Sequence, residues 1–215
     1  FASELAGVQN VIVKNCRLNL KLSKDVSVRR VYKVKPLIND LGAPEVVDRL
    51  CSLPLADLQR NETQSMLFEL ILPSRRAGVY RLAQASLSYE IPGQGVQENQ
   101  SPQDITITYT EDPSQAAVVT PKVLQIVDSV SIFRQQTRAL QLAKEGDRGR
   151  ATQLLRSTAT QLLQQGHEEL ANQALSEALS LEKGGMASSA GTKKLEYGTR
   201  KLTQLLSEVP DIPQS

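Results

Sequence analysis

The chain has 215 residues and a mass of 23.6 kDa, and 40% of its residues are hydrophobic, 22% charged and 4% aromatic. This composition excludes a disordered polyelectrolyte and a collagen-like fibre. The net charge of +2 gives no electrostatic basis for binding nucleic acid. No apolar run approaches the roughly 18 residues that cross a bilayer, and no segment resembles a signal peptide. We therefore expect a cytoplasmic protein that binds neither nucleic acid nor membrane.

The chain begins with Phe1 rather than with methionine. Phe1, Leu5 and Val8 recur at helical spacing, which is typical of the last turns of a helix that runs into a strand. We therefore expect this sequence to be part of a larger polypeptide.

The first half of the chain alternates apolar and polar residues as strands do, from about Asn10 to about Glu111. No helical pattern separates the strands, which argues against a parallel sheet. The spacing favours an antiparallel β-sandwich over residues 1–118, or an open barrel. The polar segment from Pro92 to Pro102 is predicted to be a loop. The predicted strands lie within Cys16–Leu22, Val28–Lys35, Leu50–Leu58, Met66–Leu72, Val79–Ile91 and Ile105–Tyr109.

After Asp112 the hydrophobic period changes from two residues to 3.6, which predicts a helical region over residues 119–215. Gly146, Gly166 and Gly184-Gly185 are typical helix stops. Short turns between helices favour antiparallel neighbours in a bundle or hairpin. The chain is thus predicted to be α+β, with about four helices after the sandwich. The last helix is expected over about Thr192–Leu206. The apolar stripes of the four helices run over Val123–Leu140, Ala151–Leu163, Leu170–Leu179 and Leu195–Leu206.

Catalytic side chains are scarce, since the chain has two cysteines and one histidine. Cys16 and Cys51 are expected to be reduced core residues, with a disulfide between facing strands as the alternative. His167 is expected to be exposed at a helix start, because no nucleophile or orienting group can be assigned to it. We therefore expect no enzymatic activity.

Two segments resemble ligand motifs without meeting their spacing. The run Gly184–Lys194 has five residues between Gly185 and Gly191, whereas a phosphate-binding loop needs four before its Gly-Lys pair. The run from Asp128 to Ser131 lacks serine at the positions of Val130 and Ile132, as an Asp-x-Ser-x-Ser cation motif would require. The sequence therefore predicts neither a cofactor nor a metal ion.

Basic residues concentrate on one predicted strand and in one turn. They fit a solvated sheet face or a charged strand edge that discourages pairing. The more specific alternative is that these basic residues form a surface that binds an acidic partner. The residues of this predicted partner surface are Arg29, Lys33, Lys35, Arg75 and Arg76.

The apolar ladders around Leu154 and Leu175 fit a helical core, and their glutamine-rich backs also resemble tetratricopeptide units. No clean repeat of about 34 residues supports the second interpretation. A helical peptide-binding scaffold of this kind, carried on a β-sandwich, remains the alternative function.

Three groups of residues carry a family resemblance. They are Phe1, Leu5 and Val8 to Val11; then Phe68 to Leu70, Leu82-Ala83 and Ser88 to Glu90; then Arg134, Arg138-Ala139, Ala143, Gly146-Asp147, Ala151 and Leu154-Leu155. Because these groups follow one another in this order and at this spacing, the chain resembles the region that follows the von Willebrand factor type A (vWA) domain in bacterial vWA-containing proteins.

In that family the vWA domain is a doubly wound α/β fold whose Asp-x-Ser-x-Ser loop binds a divalent cation and mediates protein–protein contact. The resemblance implies that this chain supplies the accompanying β-sandwich and helical segments, without the metal loop. It also implies that strands before the vWA domain complete the sandwich, so that this chain has an open sheet edge through which it forms a homodimer.

The sequence thus predicts a non-enzymatic accessory or scaffold region of a vWA-containing protein that supports protein–protein interaction. Its expected partners are another protein and the vWA domain of the same parent chain.

Overall fold

A computed structural model of the chain describes residues 11–94, 97–116, 118–184, 189–204 and 206. Packing within the chain divides it into two compact units. The β unit comprises Phe1–Tyr32 and Asp40–Val118, and the helical unit comprises Lys33–Asn39 and Val119–Ser215. The domains predicted from the sequence, 1–118 and 119–215, stay a prediction, because compact packing does not by itself establish independent folding.

Ten strands lie among the described residues, most of them in the predicted strand regions. They are β1 Val11–Leu22, β2 Ser27–Lys35, β3 Asn39–Gly42, β4 Val46–Val47, β5 Leu50–Pro54, β6 Leu58–Gln59, β7 Ser65–Ile71, β8 Gly78–Glu90, β9 Gln97–Asn99 and β10 Gln103–Tyr109.

These strands form two sheets. The larger has seven strands, with the order β10-β8-β1-β5-β4, while β6 pairs with β1 and β9 pairs with β8. The smaller has the order β3-β2-β7. In the larger sheet, Leu20 of β1 pairs with Cys51 on one side and with Ala85 on the other, both antiparallel. The predicted antiparallel sheets are therefore confirmed.

The core of the β unit follows from the alternation along β1. Leu20 and Leu22 are buried on one face, with Cys51, Leu53 and Ala83 from neighbouring strands. Burial removes each such side chain from water and contributes about 1.5–3 kcal/mol for a large aliphatic residue.

Both cysteines are buried and carry free thiols. Burial raises the pKa of the Cys16 thiol and that of Cys51, because an apolar environment disfavours the thiolate. Both behave as small core residues, as the sequence predicts.

Two predictions for the β unit are wrong in part. The predicted loop Pro92–Pro102 contains β9, whose backbone pairs with the end of β8 despite its polar side chains. In β2, Val31 and Tyr32 are both buried although they are neighbours. The strand is covered on both faces at that point, so the alternation of a half-buried strand is lost there.

Five helices lie among the described residues. They are the short α1 Pro113–Ala116 and the longer α2 Pro121–Lys144, α3 Arg148–Gln164, α4 Glu168–Glu182 and α5 Ser189–Arg200. α1 belongs to the β unit and the others to the helical unit.

The turns between α2, α3 and α4 are short, as predicted. Gly146 and Gly166 have φ angles of 89° and 78°, a left-handed conformation that glycine adopts without strain at helix C-termini. The Asp147 side chain accepts a hydrogen bond from the Arg150 N–H at 3.2 Å and caps α3. None of the described helices is long and apolar enough to cross a bilayer.

The last helix is shorter than predicted. α5 ends at Arg200 rather than near Leu206, and turns follow it. The Arg200 carbonyl accepts a hydrogen bond from the Ile38 N–H at 2.8 Å, so a residue outside the helix satisfies a carbonyl of its last turn. The predicted linker between Gly184 and Gly191 lies partly outside the described residues.

Candidate protein-interaction site

The residues of the predicted partner surface belong to different units. Arg29, Arg75 and Arg76 are exposed in the β unit, whereas Lys33 and Lys35 belong to the helical unit. The Lys35 ammonium donates a hydrogen bond to the Leu206 carbonyl at 3.2 Å. The basic surface stays a prediction, and Lys35 already has an internal partner.

Arg75 also makes internal contacts in the β unit. Its guanidinium donates to the Lys24 carbonyl at 3.3 Å and lies 5.0 Å from the centre of the Tyr80 ring. A cation over an aromatic ring at this distance is attracted to the face of the ring.

Arg30, which follows Arg29 on β2, forms an ion pair with Asp40 inside the β unit. Its Nε donates to both carboxylate oxygens of Asp40, at 2.9 and 3.0 Å, and one terminal nitrogen lies 2.7 Å from the same group. The hydrogen bond with Asp40 raises the pKa of Arg30. This planar pairing uses the fork of donors that distinguishes arginine from lysine.

His167 occupies the N-cap position of α4, where its side chain makes no capping hydrogen bond, and it is half-buried rather than exposed as predicted. It lines a cavity of about 410 Å³ in the helical unit, together with Asp128 and Ser129. The Ser129 hydroxyl donates to the Gln125 carbonyl one turn earlier in α2, at 2.8 Å. This hydroxyl is thus held by its own helix, not by a base that could activate it.

The described histidine, cysteine, aspartate and glutamate side chains do not form a metal-binding cluster. No group of three or more of them is arranged to hold a metal ion. The segment Asp128–Ser131 lies within α2, with Ser129 and Val130 buried. A hard cation instead takes several oxygen ligands that converge on one point.

Most of the apolar side chains on the inner faces of α3 and α4 are buried in the core of the helical unit. Leu155, Leu162, Ala171, Ala174 and Ala178 are fully buried. These side chains fill the space between helices, so they offer no open groove for a peptide, and the alternative of a tetratricopeptide-like scaffold is unsupported.

Large apolar side chains are exposed in several helices of the helical unit, among them Leu163 and Leu179, and the start of α2 carries a group of them. Val123, Leu124 and Val127 are 47%, 49% and 43% exposed, and Val119 just before the helix is 54% exposed. The buried residues of α2 begin only at Ser129. We call Val119, Val123, Leu124 and Val127 the α2 apolar face.

Helix length accounts for the exposure of the first turn of α2. α2 has 24 residues, whereas α3 has 17 and α4 has 15. At a rise of about 1.5 Å per residue, α2 is about 10 Å longer than α3. The turn at Gly146 aligns the end of α2 with the start of α3, and Gln125 and Ser129 line the same cavity as Gln164 at the end of α3. The part of α2 that extends past α3 is therefore its first turn, before Gln125. The sequence places Val123 and Val127 in the same stripe as core residues, and this part of the prediction is wrong.

Comparison with known proteins gives one family match. Residues 121–205 match the family model described as Sll0103-like, C-terminal alpha-helical domain. The match begins at the first residue of α2, so it includes Val123, Leu124 and Val127. No curated protein matches the chain.

Two solved structures are similar to the chain. One is titled von Willebrand factor type A from Catenulispora acidiphila, with a TM-score of 0.68, 16% identity, and coverage of 88% of this chain and 46% of that chain. The other is the ArnB paralog VWA2 from Sulfolobus acidocaldarius, with a TM-score of 0.46, 12% identity, and coverage of 90% and 43%. The chain spans less than half the length of either structure. Its fold, antiparallel sheets followed by a helical region, is similar to part of the Catenulispora structure.

Proposed function

We propose that this chain is a non-enzymatic accessory region of a vWA-containing protein and that it supports protein–protein interaction through the α2 apolar face. The observation that carries the proposal is the exposure of three large aliphatic side chains at the start of α2. Fold similarity to the Catenulispora structure, over less than half of that chain, supports the vWA context.

The spacing of these residues suits a helix that docks into a groove. Val123 and Val127 are four positions apart and lie on one side of the helix, with Leu124 beside them. Amphipathic helices bind apolar grooves through anchors at this spacing. Burial of each side chain contributes about 1.5–3 kcal/mol before the costs of association are subtracted.

The proposed occupant of this face is the vWA domain of the parent polypeptide. The Catenulispora chain has more than half of its length outside the matched part. The proposal therefore places the partner in the same polypeptide, where a tether raises its effective concentration.

Isothermal titration calorimetry tests the proposal. It measures the affinity of this chain for the purified vWA domain of the parent polypeptide. Val123→Lys and Leu124→Lys should each weaken binding at least about ten-fold, since a lysine must be desolvated in an apolar contact. Their thermal midpoints should not fall, because both positions are exposed. Gln125→Lys is the matched control, with the same charge added at an exposed position of the same turn.

Two results would contradict the proposal. The first is that all three lysine variants bind the vWA domain with the same affinity as the original chain. The second is self-association measured by light scattering that Val123→Lys abolishes, which would assign the face to a second copy of the chain. A dimer unaffected by these variants, in a chain that does not bind the vWA domain, would instead favour an open sheet edge as the contact.

A further inference from the structure

Lys122 lies in the first turn of α2, at the edge of the α2 apolar face. The helix begins at Pro121, and Lys122 directly precedes Val123. Neighbouring residues of an α-helix point about 100° apart, so the Lys122 side chain leaves the helix beside that of Val123 rather than on the opposite side. A partner that covers Val123 therefore also comes close to Lys122.

The Lys122 ammonium lacks a hydrogen-bond partner among the residues that the structure describes. Its Nζ is also shielded from water. A cation with neither water nor a counter-ion is costly, and such a group in a native protein calls for an explanation. Because lysine has a flexible four-carbon stem, the ammonium can turn outward towards a carboxylate that a partner brings.

The beginning of α2 also favours a negative charge at this position. A helix N-terminus carries a partial positive charge, which acidic side chains in the first turn stabilise. The first turn of α2 has no acidic residue, and the Thr120 side chain makes no capping hydrogen bond. α4, by contrast, has Glu168 and Glu169 in its first turn. Lys122 therefore adds to the positive potential where α2 begins, beside exposed apolar side chains.

We propose that the partner of the α2 apolar face presents an aspartate or glutamate to Lys122, next to the apolar groove that receives Val123 and Leu124. This inference rests on the proposed function, in which the partner is the vWA domain of the parent polypeptide. The carboxylate accepts a hydrogen bond from the ammonium and is attracted by the helix N-terminus. Lys122 thus sets specificity, because an apolar groove without the carboxylate would bury the ammonium unpaired.

Three substitutions of Lys122 test the proposal through the affinity for the purified vWA domain, measured by isothermal titration calorimetry. Lys122→Met keeps an apolar stem without the charge and should weaken binding at least about five-fold. Lys122→Glu places a like charge before the carboxylate and should weaken binding further. Lys122→Arg should bind within about two-fold of the original chain. Added salt should weaken binding of the original chain more than that of Lys122→Met.

Thermal unfolding of the chain alone supplies a readout that does not depend on the partner. Lys122→Met should raise the thermal midpoint, because it removes an unpaired cation from a helix N-terminus. Lys144 is the matched control, since it is an exposed lysine in the last turn of the same helix. Lys144→Met should leave binding unchanged and should not raise the midpoint, because a cation stabilises a helix C-terminus.

The results separate this inference from the function on which it rests. If Val123→Lys weakens binding while Lys122→Met and Lys122→Glu bind as the original chain does, docking through the α2 apolar face stands and the carboxylate is refuted. If none of these variants changes the affinity, or if no complex forms, both proposals fail. A lower midpoint for Lys122→Met would show that the ammonium is already paired within the chain, which would also overturn the inference.

Discussion

Ile38 and Arg200 exchange two hydrogen bonds across 162 positions of sequence. The Ile38 N–H donates to the Arg200 carbonyl at 2.8 Å, and the Arg200 Nε donates to the Ile38 carbonyl at 3.1 Å. The Thr203 hydroxyl donates to the Val34 carbonyl in the same segment. Residues 33–39 are thus an integral part of the helical unit, although they lie outside the matched residues 121–205.

Loss of the Ile38 side chain should destabilise the helical unit. Ile38 is 0% exposed, so Ile38→Ala leaves a cavity as well as losing apolar burial. We expect a loss of about 2–4 kcal/mol in the free energy of unfolding, measured by urea denaturation with helical circular dichroism. Asn39→Ala, at the neighbouring exposed position, should cost less than about 0.5 kcal/mol. Equal stability of the two variants would contradict the placement of this segment.

Gly198 allows the close approach of α4 and α5. A methyl group at this position would lie 2.3 Å from Cδ2 of Leu170. Gly198→Ala gains about 1 kcal/mol of helix propensity but overpacks the contact at a cost of about 1–3 kcal/mol. We therefore expect a net destabilisation of up to about 2 kcal/mol.

Gly149 is the matched control for this substitution, since it lies in α3 with no atom within 4 Å of an added methyl group. Gly149→Ala should be stabilising by up to about 1 kcal/mol. A thermal midpoint that rises in both variants would show that Leu170 moves aside without cost.

Gln136 and Thr199 form a buried polar pair between α2 and α5. The Thr199 hydroxyl lies 3.1 Å from Gln136 Oε1, and both residues are 0% exposed. The Gln136 Nε2 group has no partner among the described residues. Thr199→Val should cost about 1–3 kcal/mol, because it removes the buried hydroxyl that lies 3.1 Å from both Gln136 Oε1 and the Glu196 carbonyl oxygen.

Gln136→Leu removes both polar atoms of the amide and should cost less than Thr199→Val. In the double variant, the loss should be smaller than the sum of the single losses. Additive losses in a chemical denaturation series would mean that the two side chains do not interact.

His167 should make stability depend on pH. Burial lowers its pKa, because the imidazolium form is poorly solvated. As the pH falls through the ordinary histidine value of about 6.5, the unfolded chain binds a proton before the folded chain does. The free energy of unfolding therefore falls with pH in this range, until the folded chain is also protonated.

His167 is the single histidine of the chain, so its NMR titration needs no assignment by mutation. We expect a midpoint below about 6.5. His167→Gln should remove this part of the pH dependence. A midpoint at or above the ordinary value would instead indicate stabilisation of the charged form, for which Asp128, which lines the same cavity, is a candidate.

Local sequence pattern predicted much of the fold. Alternation identified β1 and β8 because each has one face in the core, and the 3.6-residue period located α3 and α4 for the same reason. The cap that Asp147 forms on α3 is also local, because capping depends on residues within one turn.

Features that depend on distant partners were missed. The end of α5 and the placement of Ile38 rest on contacts between residues more than 160 positions apart, which no local pattern encodes. The α2 apolar face follows the same periodicity as the core, and its exposure depends on which elements pack beside it, which a local pattern does not contain.

Amide hydrogen exchange in the parent polypeptide tests the central claim most directly. Exchange at residues 124–129 of α2 is compared between this chain alone and the whole polypeptide. If the α2 apolar face docks on the vWA domain, these amides should exchange at least about ten-fold more slowly in the whole polypeptide, while the buried middle of α3 is unchanged. Equal exchange of the start of α2 in both samples would contradict the account.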